Sequence, residues 1–381
     1  MTRSVPLSHV VREWGRIGVV GFGGPPAHVA LLRDLVVDRR GWLDAREFED
    51  ANAACGLLPG PASTQLAIYC AQRVGGVAGA VFGGLAFITP GLILILLLAA
   101  ASLGSSPPSW LLAVAAGAGA AVVAVVVQAG VVLGASSLGG LRGGRLVRAG
   151  AYIVVGAAAT VVVGPLVVVV LLACGLVELL VRRGLTVASA RVHAWIALLP
   201  VAAVGDLPEL TWTALKVGAL SYGGGFVIIP LMQADAVEGS GWMTHAEFLN
   251  AVAFGQLTPG PVTQTVAVVG YAAGGLGGGL LAALIAFLPS FLVVGLGGAR
   301  FRAFRENAGA RAFLDGAGPA AVGAIVGAAV PLAAAVSEPW QVAVVALAAV
   351  ALVARRPPIL VLVGGACAGV VALAAGAPIP G

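Results

Sequence analysis

Long apolar stretches alternate with short breaks rich in Gly, Pro and Arg along all 381 residues. Runs dominated by Val, Ala, Gly and Leu lie near 77–102, 109–133, 149–164 and 165–181. A second set lies near 277–298, 315–335, 340–354 and 358–376. Most of these runs are long enough to cross a bilayer as helices. The ten-residue polar/apolar alternation of a membrane barrel is absent. The pattern predicts an all-α integral membrane protein, a polytopic helical bundle in a lipid bilayer.

The chain also repeats itself. Displaced by 200 residues, Gly18–Phe87 falls on Gly218–Phe287 without a gap, and 20 of those 70 positions are identical. The identities include Gly, Pro, Trp and Glu, which an apolar composition does not explain. Each copy reads as a helix broken at GFGGPP (21–26) or SYGGGF (221–226), then a polar loop and a helix start at Asp44 or Thr244. A second break follows at LLPGP (57–61) or LTPGP (257–261), and then a long apolar span. Proline lacks the amide donor and glycine favours non-helical angles, so these clusters interrupt the helix. Broken helices at membrane depth are tolerated where they line a cavity or pack in protein. Both broken segments of each copy are expected to be re-entrant hairpins.

Charge sets the expected orientation. The loop 33–46 carries Arg33, Arg39, Arg40 and Arg46, whereas its counterpart 233–246 has no Lys or Arg and holds Asp235 and Glu238. After the long span the bias reverses: 103–109 is uncharged, and its counterpart carries Arg300, Arg302, Arg305 and Arg311. Opposite positive bias places equivalent loops on opposite sides, so the halves are expected to be inverted repeats. The division is 1–191, a linking span 192–207, and 208–381. Four spans per half is an even number, so Val192–Gly205 is expected to supply the crossing that inverts the second half.

Composition narrows the class. Hydrophobic residues make up 60%, charged residues 10%, and mean hydropathy is +1.04. A soluble enzyme, a nucleic-acid binder and a disordered chain are excluded. The net charge of +5 belongs to loop arginines that orient helices. Cys55, Cys70, Cys174 and Cys367 are scattered among apolar residues and read as small core residues. No metal-ligand spacing, cofactor motif or phosphate-binding loop is present, so no metal, cofactor or ATP-driven step is expected.

Paired broken helices in a duplicated membrane protein are the layout of secondary transporters. After the two PGP breaks the chain resumes as Ser63-Thr64-Gln65 and Thr263-Gln264-Thr265. Each is a helix start with hydroxyl and amide groups and no acid, which suits an anion. Gly60, Gly260 and the glycine pairs Gly23-Gly24 and Gly223-Gly224 let backbone approach a ligand. Ser and Thr at a helix start are also ordinary caps. Arg16 and Lys216, the sole lysine, are aligned; they read either as charge for the anion or as snorkelling residues. Glu47 and Glu247 are candidate proton carriers, and equally the third residue of a capping box. His28, whose counterpart is Ile228, titrates near neutrality or is simply packed.

GFGGPPAH (21–28), GWLDAREFED (41–50), GLLPGPASTQLA (56–67) and FITPG (87–91) resemble the chromate ion transporter family. SYGGGFVIIPLM (221–232) and TPGPVTQTVAVVGY (258–271) resemble that family's C-terminal half. The resemblance implies a long-chain, two-domain member in the cytoplasmic (inner) membrane. It implies export of chromate driven by the proton-motive force, conferring resistance, with sulfate as a substrate analogue. It does not fix the oxyanion, and a homodimer is an open arrangement. Gly225 for Pro25 and Ile228 for His28 imply unequal halves. An importer or exchanger for sulfate or another oxyanion, and an anion channel, are the rivals; an integral-membrane enzyme lacks a catalytic cluster.

Overall fold

The computed structural model describes residues 5–56, 58, 60–162, 167–183, 206–221, 226–297 and 307–380. Among them every regular element is helical. The first half contains α1 (Leu7–Val20), α2 (Pro25–Arg33) running into a π-helical turn (Asp34–Arg39), and α3 (Ala45–Cys55). It continues with α4 (Ala62–Ser102), α5 (Ser109–Leu138), α6 (Gly144–Val162) and α7 (Val167–Arg183). The second contains α8 (Asp206–Leu220), α9 (Ile228–Gln233) with its own π turn (Ala234–Gly239), α10 (His245–Leu257) and α11 (Thr265–Gly297). It ends with α12 (Ala308–Ala334), α13 (Pro339–Val353) and α14 (Pro358–Ala374). Among the described residues five helices are long and apolar enough to cross a membrane, and the chain is a multi-pass membrane protein. The expected crossing at 192–205 lies outside the described residues.

Two hairpins form where the sequence breaks. Near the start of α3, Glu47 pairs with Arg73 near the end of the first limb of α4. The two limbs are therefore antiparallel, with the PGP break at their inner turn. The outer turn is at Gly75-Gly76, where Gly76 has φ of +65° and α4 folds back into its long limb. Gly274-Gly275 does the same in α11, with φ of +60° at Gly275. A side chain in that region is strained, which is why glycine stands there. The amide of Val5 bonds the carbonyl of Val74, so α1 starts beside the same outer turn. It ends beside Phe87, halfway along the long limb, where Gly18 abuts the Phe87 carbonyl.

The copies match less simply than the sequence predicts. Their π turns are 200 residues apart and so are the two PGP motifs. Beyond PGP the spacing falls to 199: Gly75-Gly76 corresponds to Gly274-Gly275, and Pro90 to Pro289. The second copy lacks one residue in the turn, and a single 3-10 turn at Val262–Gln264 absorbs the loss. The gapless match is thereby corrected, and Gln264 is the counterpart of Gln65.

Small residues set the packing between halves. The long limbs of α4 and α11 run antiparallel, with Gly84 against Phe291 and Gly279 against Leu96. Helices α5 and α12 also run antiparallel, with Gly130 against Val326 and Gly134 against Val322. Each then packs on the closing pair of the opposite half: Gly117 of α5 against Gly365 and Gly369 of α14, and Gly323 of α12 against Ile153 and Ala157 of α6. Backbone-to-backbone approach is how helices gain dispersion contact where lipid is as apolar as their side chains.

Candidate functional site

The four elements broken by Gly and Pro meet where the long limbs cross. The second PGP turn docks on the end of α1: the Gly260 amide donates to the Gly21 carbonyl at 3.0 Å. Gly24 lies against Val262. Gln264 reaches across to α4, where its Nε2 donates to the Ile88 carbonyl at 2.8 Å. The first PGP turn docks on the opposite half in the same way. A β-carbon on Gly60 would stand 2.5 Å from Gln65 Nε2, 3.2 Å from Ser290 Oγ and 3.4 Å from the Gly218 carbonyl. Each turn thus rests on the other half's mid-helix proline step, Pro289-Ser290 or Pro90-Gly91. Gly60 and Gly260 sit at φ of +119° and +98°, outside the comfortable range of an L side chain.

His28 belongs to this site. It is fully buried and contacts Phe87 edge-on. Its Nε2 lies 2.9 Å from the Gly21 carbonyl and its Nδ1 3.2 Å from Ser63 Oγ. A carbonyl only accepts, so Nε2 carries the proton, and in the neutral ring Nδ1 accepts from Ser63. The second half lacks the imidazole. There the Ser221 and Thr263 hydroxyls face each other at 3.4 Å, and Ser221 is the counterpart of Gly21. One carbonyl, Gly21, therefore collects a donor from each half.

The hydroxyls after the PGP breaks are not helix caps. Pro61 and Pro261 stand at the N-cap positions and neither start has a side-chain cap. Thr265 Oγ1 bonds the Val262 carbonyl, three residues back. Ser63, Thr64, Gln65, Thr263, Gln264 and Thr265 are all buried. Thr64 Oγ1, Gln264 Oε1 and Ser290 Oγ have no hydrogen-bond partner among the described residues. An unpaired buried polar atom costs about 1–3 kcal/mol, so each of the three is an exception to the rule that buried polar groups are hydrogen-bonded.

Other expected site residues lie elsewhere. Arg16 is on an exposed face of α1. Lys216 is buried and paired with Asp235 of the second π turn at 2.5 Å, with Thr213 also donating to Asp235. Its charge is thus offset within its own half. Glu47 accepts from Arg73 and Tyr69 at the open end of its hairpin. Glu247 forms the reciprocal capping box with Thr244, whereas in the first copy only Asp44 caps. Neither glutamate reaches the PGP turns. Gly23 and Gly24 form the break before α2; Gly223 and Gly224 lie outside the described residues. Sequence reasoning missed Ser290, Ser221 and the Gly21 carbonyl. The available signal was Pro90 and Pro289 inside apolar spans, since a helical proline leaves a carbonyl without its partner.

The family model described as chromate transporter matches residues 8–179 and again 208–370. The chain belongs to the chromate transporter family. A chromate transport protein of Cupriavidus metallidurans is 31% identical over 377 residues, covering 96% of this chain and 93% of that one. A chromate transport protein of Pseudomonas aeruginosa is 31% identical over 355 residues, covering 85% and 80%. A probable chromate transport protein of Synechococcus elongatus is 28% identical over 339 residues. No solved structure matches the chain. Both family matches carry one PGP turn each, so the site described above is shared between two copies of the same family unit.

Proposed function

We propose that this protein is a secondary transporter that exports chromate, a sulfate-like oxyanion, across the cytoplasmic membrane, drawing on the proton-motive force and conferring chromate resistance. The observation that carries the reading is the pair of uncapped helix starts, each closed by the opposite half and bordered by unpartnered polar atoms. Uncapped helix starts present amide donors and a positive dipole end, as an oxyanion requires. Chromate relatives matching both halves supply the substrate class.

The halves are inverted repeats in this reading, divided as 1–191 and 208–381. The antiparallel packing of α4 with α11 and of α5 with α12 supports it. The end bearing the Arg33–Arg46 loop, Arg145, Arg182 and Arg355 is cytoplasmic by the positive-inside rule. The anion is bound by backbone amides and by Ser63, Thr64, Gln65, Thr263, Gln264 and Thr265. Rocking of one half against the other opens the site to alternate sides. His28 is the proton-coupling residue this arrangement favours over Glu47 and Glu247, because it alone touches a substrate-binding hydroxyl.

The test is chromate flux in liposomes with and without an imposed pH gradient. Saturable, gradient-driven flux inhibited by sulfate is expected, with loss in the Ser63→Ala/Thr263→Ala double variant. Non-saturating flux indifferent to the gradient would make the protein a channel, and saturable sulfate flux without chromate flux would replace the substrate.

A further inference from the structure

We propose that Glu247 and Asn250 of α10 form a binding site for a monovalent metal cation, of the sodium class, at the end of the bundle opposite the Arg33–Arg46 loop. A cavity of about 120 Å³ lies there, where the end of α4 meets α10 and α11. Glu247 and Asn250, one turn apart on α10, line it together with Ser102, Leu103 and Gly104 from the end of α4 and Val268 of α11.

The polar groups facing the cavity are oxygen donors. Glu247 Oε2 accepts from the Thr244 amide at 2.7 Å, which completes the capping box. Its Oε1 has no partner among the described residues, and the carboxylate makes no ion pair among them. Asn250 is only 5% exposed, yet its side-chain amide makes no hydrogen bond among the described residues. Buried polar groups are normally paired, so this amide is an exception aimed at the cavity. The long limb of α4 ends at Ser102, where the Leu103 amide takes the Ala99 carbonyl. The later carbonyls of that turn have no helical donor and give this end of the helix a negative partial charge. A carboxylate oxygen, an amide oxygen, a hydroxyl and a helix C-terminus are the donor set of a hard cation. One carboxylate balances one positive charge, whereas calcium sites are tuned by gathering several.

The first half shows what the equivalent position accepts. There the carboxylate of Glu47 takes the Arg73 guanidinium and the Tyr69 hydroxyl. The counterparts of Tyr69 and Arg73, 199 residues on, are Val268 and Ala272. Val268 lines the cavity, and Ala272 stands one turn further along the same limb of α11. The second half thus keeps the carboxylate and the space but not the built-in cation. A bound ion would restore that balance and would join α4 of one half to α10 of the other, independently of the substrate.

The full-length protein, purified in detergent and freed of sodium in choline chloride, tests this by binding of radiolabelled sodium and by thermal unfolding at constant ionic strength. Saturable sodium binding is expected, with a midpoint raised by about 2 °C or more over choline. Glu247→Gln removes the charge but keeps an oxygen for the Thr244 amide, so the cap and the fold are retained. That variant should lose sodium binding at least tenfold and unfold near the sodium-free wild-type midpoint. Asn250→Leu leaves the carboxylate and its cap intact and should weaken binding several-fold. Ala272→Arg, which supplies the guanidinium of the first half, should unfold above the sodium-free wild type and take up no sodium. No saturable binding in the wild type, or unchanged binding in Glu247→Gln or Asn250→Leu, would overturn the site. A larger stabilisation by calcium than by sodium would overturn its monovalent character. None of these readouts depends on transport.

Discussion

The amide of Gly260 donates to the carbonyl of Gly21 across the boundary between the two halves, at 3.0 Å. His28 donates to the same oxygen at 2.9 Å. The ring that holds Ser63 is thereby tied to the second PGP turn through one atom. Movement of that turn would change the hydrogen-bond company His28 keeps.

Gly260→Ala should break that link. The residue sits at φ of +98°, and a β-carbon would lie 2.9 Å from Gln264 Nε2. Strain of about 1–3 kcal/mol is expected, enough for a roughly fivefold or larger loss of flux. Flux per folded protein, normalised by gel filtration, measures it.

Ser290→Ala should separate stability from affinity. Its hydroxyl is buried without a partner among the described residues, so removing it should raise thermal stability by about 1 kcal/mol. Removing a donor beside Gly60 should raise the KM for chromate several-fold with little change in kcat. A fall in stability with unchanged KM would mean Ser290 only packs. Ser290→Thr, which keeps the hydroxyl, is the conservative comparison.

Asp235→Asn should leave the Lys216 ammonium buried and unpaired. A broken buried pair costs about 3–5 kcal/mol, so a large drop in the midpoint of thermal unfolding is expected. The double variant Lys216→Met/Asp235→Leu should recover most of it. Recovery of flux as well would remove Lys216 from the substrate's path.

Cysteines placed at Arg39 and Glu238, each on an exposed face at the end of a π turn, should react with an impermeant maleimide from opposite sides of oriented vesicles. Reaction of both from one side would end the inverted arrangement.

The sequence was informative where chemistry is sparse. Gly and Pro are the residues that interrupt helices, so the breaks at 21–26, 57–61 and their counterparts were readable. So were the arginine loops. The register change after PGP was hidden because small residues recur so densely that alignments at 200 and 199 both collect glycines. Ser290 was hidden because a serine in an apolar helix carries no pattern. The pairing of Lys216 was hidden for another reason: its partner Asp235 stands where the first copy has Leu35, so the repeat offered no hint of the pair. In the first copy the tie between helix and π turn runs instead from Glu13 to Arg40.

The exchange of closing helices also bears on biogenesis. During synthesis α5 enters the membrane with its Gly–Ala face bare, because α13 and α14 have not yet left the ribosome. That face waits through the emergence of about 200 residues, on the order of ten to forty seconds at typical elongation rates. A first half released early would be an orphan with an unfilled seam, open to proteolysis and to capture by a second half from another molecule.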